Sequence, residues 1–329
     1  MTALAPTLQS FFSERMLTQR RASPNTVASY RDTFRLLLGF AQRRTGKTPS
    51  KLQLEDLDAV LIGAFLDHLE HERHNSVRTR NTRLAAVHSL FAYAALRHPD
   101  HAALIQRVLA IPTKRTDRQL VSFLTHDEVD ALLAAPDRDT WIGRRDHALL
   151  LLAIQTGLRV TELTSLTCAD VELGTGAHLR CHGKGRKERI TPLTTQTRGV
   201  LRIWLTERRG APCDPLFPSR RHGPLSRDAV ALLVAKHAGT ATQRCPSLGP
   251  KTVSPHVLRH TCAMSLLAVG VDISVIALWL GHEGVETTQI YLHADLAIKQ
   301  RALARTAPTG TKPGRYRAPD TLIAFLEAL

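Results

Sequence analysis

The feature that most limits how this chain can fold is a break at Ile111-Pro112-Thr113-Lys114-Arg115-Thr116-Asp117-Arg118-Gln119. The stretch is polar and basic and has no apolar periodicity, so no core-forming element can run through it. The chain on each side must build its own core. A length of 329 residues fits two such domains, at about 100–200 residues each. We read residues 1–112 as the first domain, 113–122 as a linker, 123–306 as the second domain and 307–329 as an appended tail. Hydrophobic residues make up 43% of the chain, enough for two ordinary cores and too many for wholesale disorder. No apolar run approaches the roughly 18 residues of a membrane span. The opening, MTALAPTLQSFFSERM, lacks the basic-then-apolar order of a secretory leader. The cysteines are odd in number and form no CxxC pair, which fits a reducing cytoplasm and gives no zinc signature.

Most of the chain has helical periodicity. Ser23-Pro24-Asn25 opens a helix with Val27, Tyr30, Phe34, Leu37 and Leu38 on one face. Residues Leu54 to Leu69 give another. Ser76 precedes a third, striped by Leu84, Val87, Leu90, Phe91 and Ala94. His68, His71 and His74 also share helical spacing, but their Glu-rich surroundings favour a solvated face over a metal site. Beyond the break, Thr125-His126-Asp127-Glu128 forms a capping box before Val129, Leu132 and Leu133. A helix from about Arg144 to Thr156 stops at Gly157. The period then changes to two in His178-Leu179-Arg180-Cys181-His182 and in Arg189-Ile190-Thr191-Pro192-Leu193, with GKGRKE between them. That pattern is a β-hairpin. Further helices follow at Thr195 to Arg208, Ser226 to Ala238, after Ser254-Pro255, and after Asp272 up to Gly281. The fold class is therefore mainly α, with a small β-hairpin or sheet in the second domain.

Charge is the first clue to function. The formal net charge is +15. Residues 1–112 hold 15 basic against 9 acidic side chains, and the remainder 29 against 20. Both domains are basic, as for a polyanion gripped from two sides. Arg78, Arg80 and Arg83 lie at a helix start, where arginines suit phosphate contacts. Arg80 and Arg83 share a face. Lys114 and Arg115 in the linker, and Arg186 and Lys187 in the hairpin loop, are further candidates for the DNA backbone.

Four separated segments of the second domain carry the chemistry. They are Thr156-Gly157-Leu158-Arg159-Val160-Thr161-Glu162-Leu163, Gly183-Lys184-Gly185-Arg186-Lys187-Glu188-Arg189, His256-Val257-Leu258-Arg259-His260, and Leu280-Gly281-His282 followed by Tyr291. An arginine offers phosphate a planar fork that cannot lose its charge. Lys184 sits at a hairpin tip, from which it can reach into a groove. Histidines titrate near neutrality, and Tyr291 supplies a phenol that can act as a nucleophile. Together these side chains can stabilise a pentavalent phosphate with fixed cations. There is no Walker-type loop and no evident carboxylate cluster for Mg²⁺. The expected cofactor and metal content is none.

In this order and spacing the segments closely resemble the tyrosine recombinases of the phage-integrase family, most nearly the compact Xer-type members. The resemblance covers almost the whole chain. It implies a helical, SAM-like core-binding domain, including the Asn25-Thr26 to Tyr30-Arg31 stretch, followed by the catalytic domain. It places the family's catalytic set on Arg159, Lys184, His256, Arg259, His282 and Tyr291. Lys187 competes with Lys184 for the lysine role, and Glu162 matches an often acidic supporting position. The implied reaction is attack by Tyr291 on a DNA phosphodiester, giving a 3′-phosphotyrosyl link and a free 5′-hydroxyl. Arg159, Arg259 and His282 would hold the non-bridging oxygens. Lys184 would protonate the leaving oxygen, and His256 would assist the tyrosine proton. A partner strand then rejoins without ATP.

The resemblance also implies a homo- or hetero-tetramer on two double-stranded DNA sites. The tail then acquires a use. After the Pro- and Gly-rich 307–314, Leu322, Phe325, Leu326 and Leu329 follow helical spacing behind Pro319-Asp320-Thr321. A helix this short is marginal alone, so it is expected to dock on a neighbouring protomer. Three competing readings stay open on the residues alone. They are type IB topoisomerase-like relaxation, a DNA-binding protein without catalysis, and a metal-dependent nuclease.

Overall fold

Side-chain caps set the starts of most of the described helices. The computed structural model describes residues 2–116, 121–182, 188–282 and 287–291. The chain divides into two compact units, Met1–Gln119 and Leu120–Leu329. In the first unit α1 (Leu4–Ser10) runs into a stretch of π-helix, Phe11–Gln19. Helix α2 (Pro24–Thr45) starts where Ser23 Oγ accepts from the Thr26 N–H and ends at Gly46, whose φ of 71° suits glycine. Helix α3 (Ala59–His71) is capped by Asp58, and α4 (Val77–Ala95) by Ser76. Helix α5 (Ala102–Leu109) completes the unit.

The helix expected from Leu54 begins later. Residues Leu54–Asp56 make only a single 3-10 turn, and the Asp58 carboxylate, 2.8 Å from the Leu61 N–H, sets the start at Ala59. The N-terminal helix went unpredicted, yet Phe11 is fully buried and packs edge-on against Phe34 and Tyr93. The core of the unit joins Phe34 and Leu37 of α2 to Phe65 and Leu69 of α3 and to Leu84, Leu90 and Phe91 of α4. His68 is half-buried, lies against the Phe40 ring and pairs with Glu72.

The second unit opens with α6 (His126–Ala134), where the Thr125–Glu128 capping box forms as its sequence predicts. Glu128 is also buried and accepts from Lys251 and Ser247, tying the helix start to a distant loop. Helix α7 (Trp141–Thr156) begins three residues before the predicted Arg144, because Thr140 caps it. Leu149, Leu150, Leu151 and Leu152 are all buried, so this turn of α7 is covered on every side and lies in the core of its unit. Arg145 and Asp146 on the same helix make a buried tie with His237 and the Pro218 carbonyl.

After α8 (Val160–Ser165) come three antiparallel strands in the order β1 (Val171–Glu172), β2 (His178–His182) and β3 (Glu188–Pro192). The hairpin matches expectation, and β1 is additional. Helices α9 (Thr195–Arg208), α10 (Arg227–Ala241), α11 (Pro255–Ala268) and α12 (Ile273–Leu280) complete the unit. Among the described residues no helix is long and apolar enough to cross a membrane.

Candidate active site

The end of α12 organises a cluster of arginines. Gly281 terminates the helix in the left-handed region, at φ 63°, and leaves the last carbonyls exposed at the negative end of the helix dipole. Arg259 from α11 donates to the Leu280 carbonyl at 2.8 Å and to the Gly157 carbonyl at 2.6 Å. Arg159, which precedes α8, donates to the Gly281 carbonyl at 2.9 Å. Arg189 from β3 also donates to Leu280. Four segments that are distant in sequence are thus drawn together by backbone oxygens.

Below the arginines lies Glu162, 3% exposed. Its carboxylate accepts from Arg159 Nη1 at 2.8 Å, from Arg189 Nη2 at 2.9 Å, and from the Arg159 backbone N–H at 2.8 Å. A buried carboxylate between two guanidiniums fixes both forks and offsets part of their charge. Arg259 is 3% exposed. Burial and its neighbours Arg159 and Arg189 push its guanidinium down to about 10, so it remains charged at neutral pH.

The histidines respond to this positive field. His282 Nδ1 lies 2.6 Å from Thr288 Oγ1, and burial with the three arginines pushes the ring down to about 4. Burial, Arg259 and Arg159 lower His256 as well. Tyr291 is 1% exposed, among Cys262, Met264, Ile276 and Leu280. Burial raises its phenol to about 12, against the opposing pull of Arg259 and Arg159. The hydroxyl meets His260, not His256: Nδ1 of His260 stands 3.0 Å away. The His256 ring stacks on that of His260. Such a cluster can hold an anionic phosphodiester and present a tyrosine oxygen to it.

Gly157 makes this approach possible. Its φ is +62°, and a Cβ there would stand 2.6 Å from Leu280 Cδ2 and 3.1 Å from Cys262 Sγ. Gly157→Ala is expected to destabilise by about 1–2 kcal/mol through the left-handed backbone. Overpacking adds about 1–3 kcal/mol. A fall in the urea midpoint measures the sum.

Of the expected site residues, Arg159, His256, Arg259, His282 and Tyr291 fall together here, while Lys184, Arg186 and Lys187 lie outside the described residues. Arg189, His260 and Thr288 were not singled out from the sequence. Arg189 and His260 closed two of the four motif segments but were given no role there.

The expected DNA-facing arginines of the first unit divide. Arg78 and Arg115 are exposed. Arg80 is 6% exposed and donates to the Pro112 carbonyl at 3.1 Å. Arg83 donates to Ser29 O and Thr33 Oγ1. The Lys114 ammonium pairs with Glu70, and its backbone N–H and carbonyl bond the Asn81 amide. In this structure Arg80 and Arg83 are tied to their own unit, while Lys114 forms its pair at the surface. Arg80 is buried and Arg83 half-buried, and both guanidiniums donate to atoms of the first unit.

Residues 9–98 match the N-terminal SAM-like domain of phage integrases, and residues 122–297 match the phage integrase family. A Sinorhizobium fredii protein named "Putative integrase/recombinase y4rC" is 59% identical over 327 residues, covering 99% of this chain and 98% of its own. The tyrosine recombinase XerD of Pseudomonas putida is 34% identical over 317 residues, 94% of this chain and all of its own. Among solved structures, XerH bound to a palindromic difH substrate in a post-cleavage complex superimposes with a TM-score of 0.69 at 22% identity, over 87% of this chain and 81% of that one. The chain belongs to the phage integrase family, as a tyrosine-type site-specific recombinase that breaks and rejoins DNA strands.

Proposed function

We propose that the cluster around the end of α12 is the strand-exchange centre, with Tyr291 as nucleophile. The observation that carries this reading is a buried tyrosine hydroxyl held within the field of Arg259 and Arg159. Tyr291 Oη attacks the scissile phosphorus, and the P–O5′ bond breaks. The DNA 3′ end stays on the tyrosine while the 5′-hydroxyl departs. Arg159, Arg259 and His282 hold the non-bridging oxygens. Lys184, from the hairpin loop, protonates the leaving oxygen, with Lys187 as its competitor. His256, stacked on His260 beside the hydroxyl, assists the transfer of the tyrosine proton. Fixed guanidiniums supply the charge stabilisation that a metal ion supplies in other phosphoryl-transfer enzymes, so the reaction runs in chelator. The nucleophile stores the bond energy for rejoining, so no nucleotide cofactor enters.

The first unit acts as the clamp of the core-binding type, using exposed Arg78 and Arg115, and with Arg186 and Lys187 it contacts double-stranded DNA. The test is a suicide-substrate assay on nicked duplexes, carrying a site selected from random DNA by the protein itself, run in EDTA. A protein–DNA adduct that survives denaturant is expected. DNA that is bound without any adduct in chelator would sink the reading.

The recombinase works as a tetramer on two sites, and its tail residues Leu322, Phe325, Leu326 and Leu329 dock on a neighbouring protomer. Their helical spacing behind a Pro/Gly-rich stretch supports this. So does a groove of about 920 Å³ in the second unit, bordered by half-buried Phe123, Val129, Ile154, Leu266 and Trp279. Deleting residues 319–329 is expected to preserve single-site binding and abolish cooperative assembly in a gel-shift titration. Unchanged cooperativity would refute docking in trans.

A further inference from the structure

The side chain bonded to the reacting hydroxyl is not one that the motif assignments use. His260 Nδ1 lies 3.0 Å from Tyr291 Oη, and the two rings meet edge-on, with centroids 5.5 Å apart at 65°. His256, one turn earlier on α11, stacks almost parallel on His260, at 5.7 Å and 9°. The imidazole is thereby held in one plane with a nitrogen aimed at the phenol. Tyr291 must lose its proton to attack phosphorus, and its burial makes that loss costly. The groups that face His260 are His256 and Arg259 on its own helix, and Tyr291 and His282 from the segment after α12. With burial, His256 and Arg259 push the ring down to about 4. At neutral pH it is therefore uncharged, and a lone pair on Nδ1 is free to accept the phenolic hydrogen.

We infer that His260 is a further catalytic residue, the proton acceptor for the nucleophile. The inference rests on Tyr291 being that nucleophile. As the Oη–P bond forms and the P–O5′ bond breaks, the phenolic proton moves to His260 Nδ1 and leaves an imidazolium. The leaving 5′-oxygen takes its proton from a separate acid, Lys184. In rejoining, the incoming 5′-hydroxyl attacks phosphorus and gives its proton to the Lys184 amine, the P–Oη bond breaks, and the imidazolium returns its proton to the phenolic oxygen. A bound phosphodiester offsets the arginine charge and raises the ring's basicity. The base is therefore strengthened when DNA occupies the site, and the empty site keeps the tyrosine protonated.

The experiment uses the full chain in single-turnover cleavage of nicked duplexes. One carries the normal phosphodiester, the other a 5′-bridging sulfur at the scissile position. A thiolate leaves without an acid, so the second substrate isolates the nucleophile's proton. For wild type on the sulfur substrate, the rate is expected to rise with pH through one ionisation and level off. His260→Asn keeps a hydrogen-bond acceptor near Nδ1 but cannot carry a proton. It and His260→Ala are expected to lose about 10²–10⁴-fold on both substrates, with a rate that climbs steadily with pH and with DNA binding retained. Lys184→Ala is expected to recover on the sulfur substrate alone. A wild-type rate on that substrate that climbs steadily with pH and never levels off, as expected of the variants, would overturn the inference. So would His260→Asn with the wild-type rate and profile, since the ring would then only position the tyrosine. Faster cleavage by either His260 variant would overturn it too, as a parking contact. Absence of any wild-type adduct would remove the nucleophile assignment itself, an outcome distinct from all of these.

Discussion

Tyr291→Phe is expected to bind its DNA site normally and to form no covalent adduct. The substitution removes one oxygen and leaves the ring in place. That ring is 1% exposed among Cys262, Met264, Ile276 and Leu280, and phenylalanine keeps those contacts. The loss in stability is that of one hydrogen bond to His260, about 1 kcal/mol. The loss in cleavage is expected to be complete, because among the described residues no neighbouring group can replace the nucleophile. The thiol of Cys262 lies close, but burial raises it to about 12 and it donates to the Gln155 carbonyl. Tyr30 and Tyr93 belong to the first unit. Tyr316 is the one tyrosine of the chain's four that could substitute from outside the described residues. An adduct that persisted in Tyr291→Phe would refute the assignment, and peptide mapping would name the true nucleophile. Binding by gel shift and adduct by denaturing gel separate the two effects in one preparation.

How far the sequence carried the argument depends on the range over which each signal acts. Local signals were dependable. Ser23, Ser76, Thr125, Ser226, Ser254 and Asp272 cap helices as their sequences predict, because a cap is decided within four residues. The start of α3 was misplaced because Asp58, not Leu54, supplies the cap. The N-terminal helix was missed because its π-helical stretch does not keep the 3.6-residue period. The candidate site was legible as an ordered set of motifs, but the ties among its members were not. Alternation in β3 placed Arg189 and Thr191 on one face and left Ile190 65% exposed on the other. An arginine turned inward while an isoleucine turns outward inverts the usual pattern. That inversion shows only in the packing, so alternation along the sequence carried no signal for Arg189. His260 stood in plain view beside Arg259, but only the packing of residue 291 against α11 shows which histidine meets the tyrosine. Arg80 and Arg83 show the same limit from the other side. Their spacing gives a shared direction on α4, and tertiary partners decide that the direction is inward.

Glu162→Ala is the second change with a large expected effect, and it acts on stability and cleavage together. The carboxylate is 3% exposed and has Arg159 and Arg189 within 2.9 Å. Removing one member of a buried charge cluster leaves the others uncompensated, at a cost of about 3–5 kcal/mol. Here two guanidiniums lose their shared partner, beside a third, Arg259, whose charge is already disfavoured by both. Mutual repulsion should then spread the three forks away from the carbonyls of Leu280 and Gly281. Single-turnover cleavage is expected to fall by at least about 10²-fold, the scale set by losing one oriented donor to a phosphoryl or acyl oxyanion. Glu162→Gln tests charge against shape. Its amide fits the same space, but its NH₂ must face a guanidinium N–H where the carboxylate had an acceptor. The amide should therefore rescue little. The more exposed Arg144–Glu207 pair provides the contrast, since solvent screens such pairs and Glu207→Gln should change stability far less. Urea midpoints and cleavage rates for the three variants decide the matter. A Glu162→Gln protein with wild-type stability and rate would show that the carboxylate's charge does not orient the arginines, and the buried pairing would then serve packing alone.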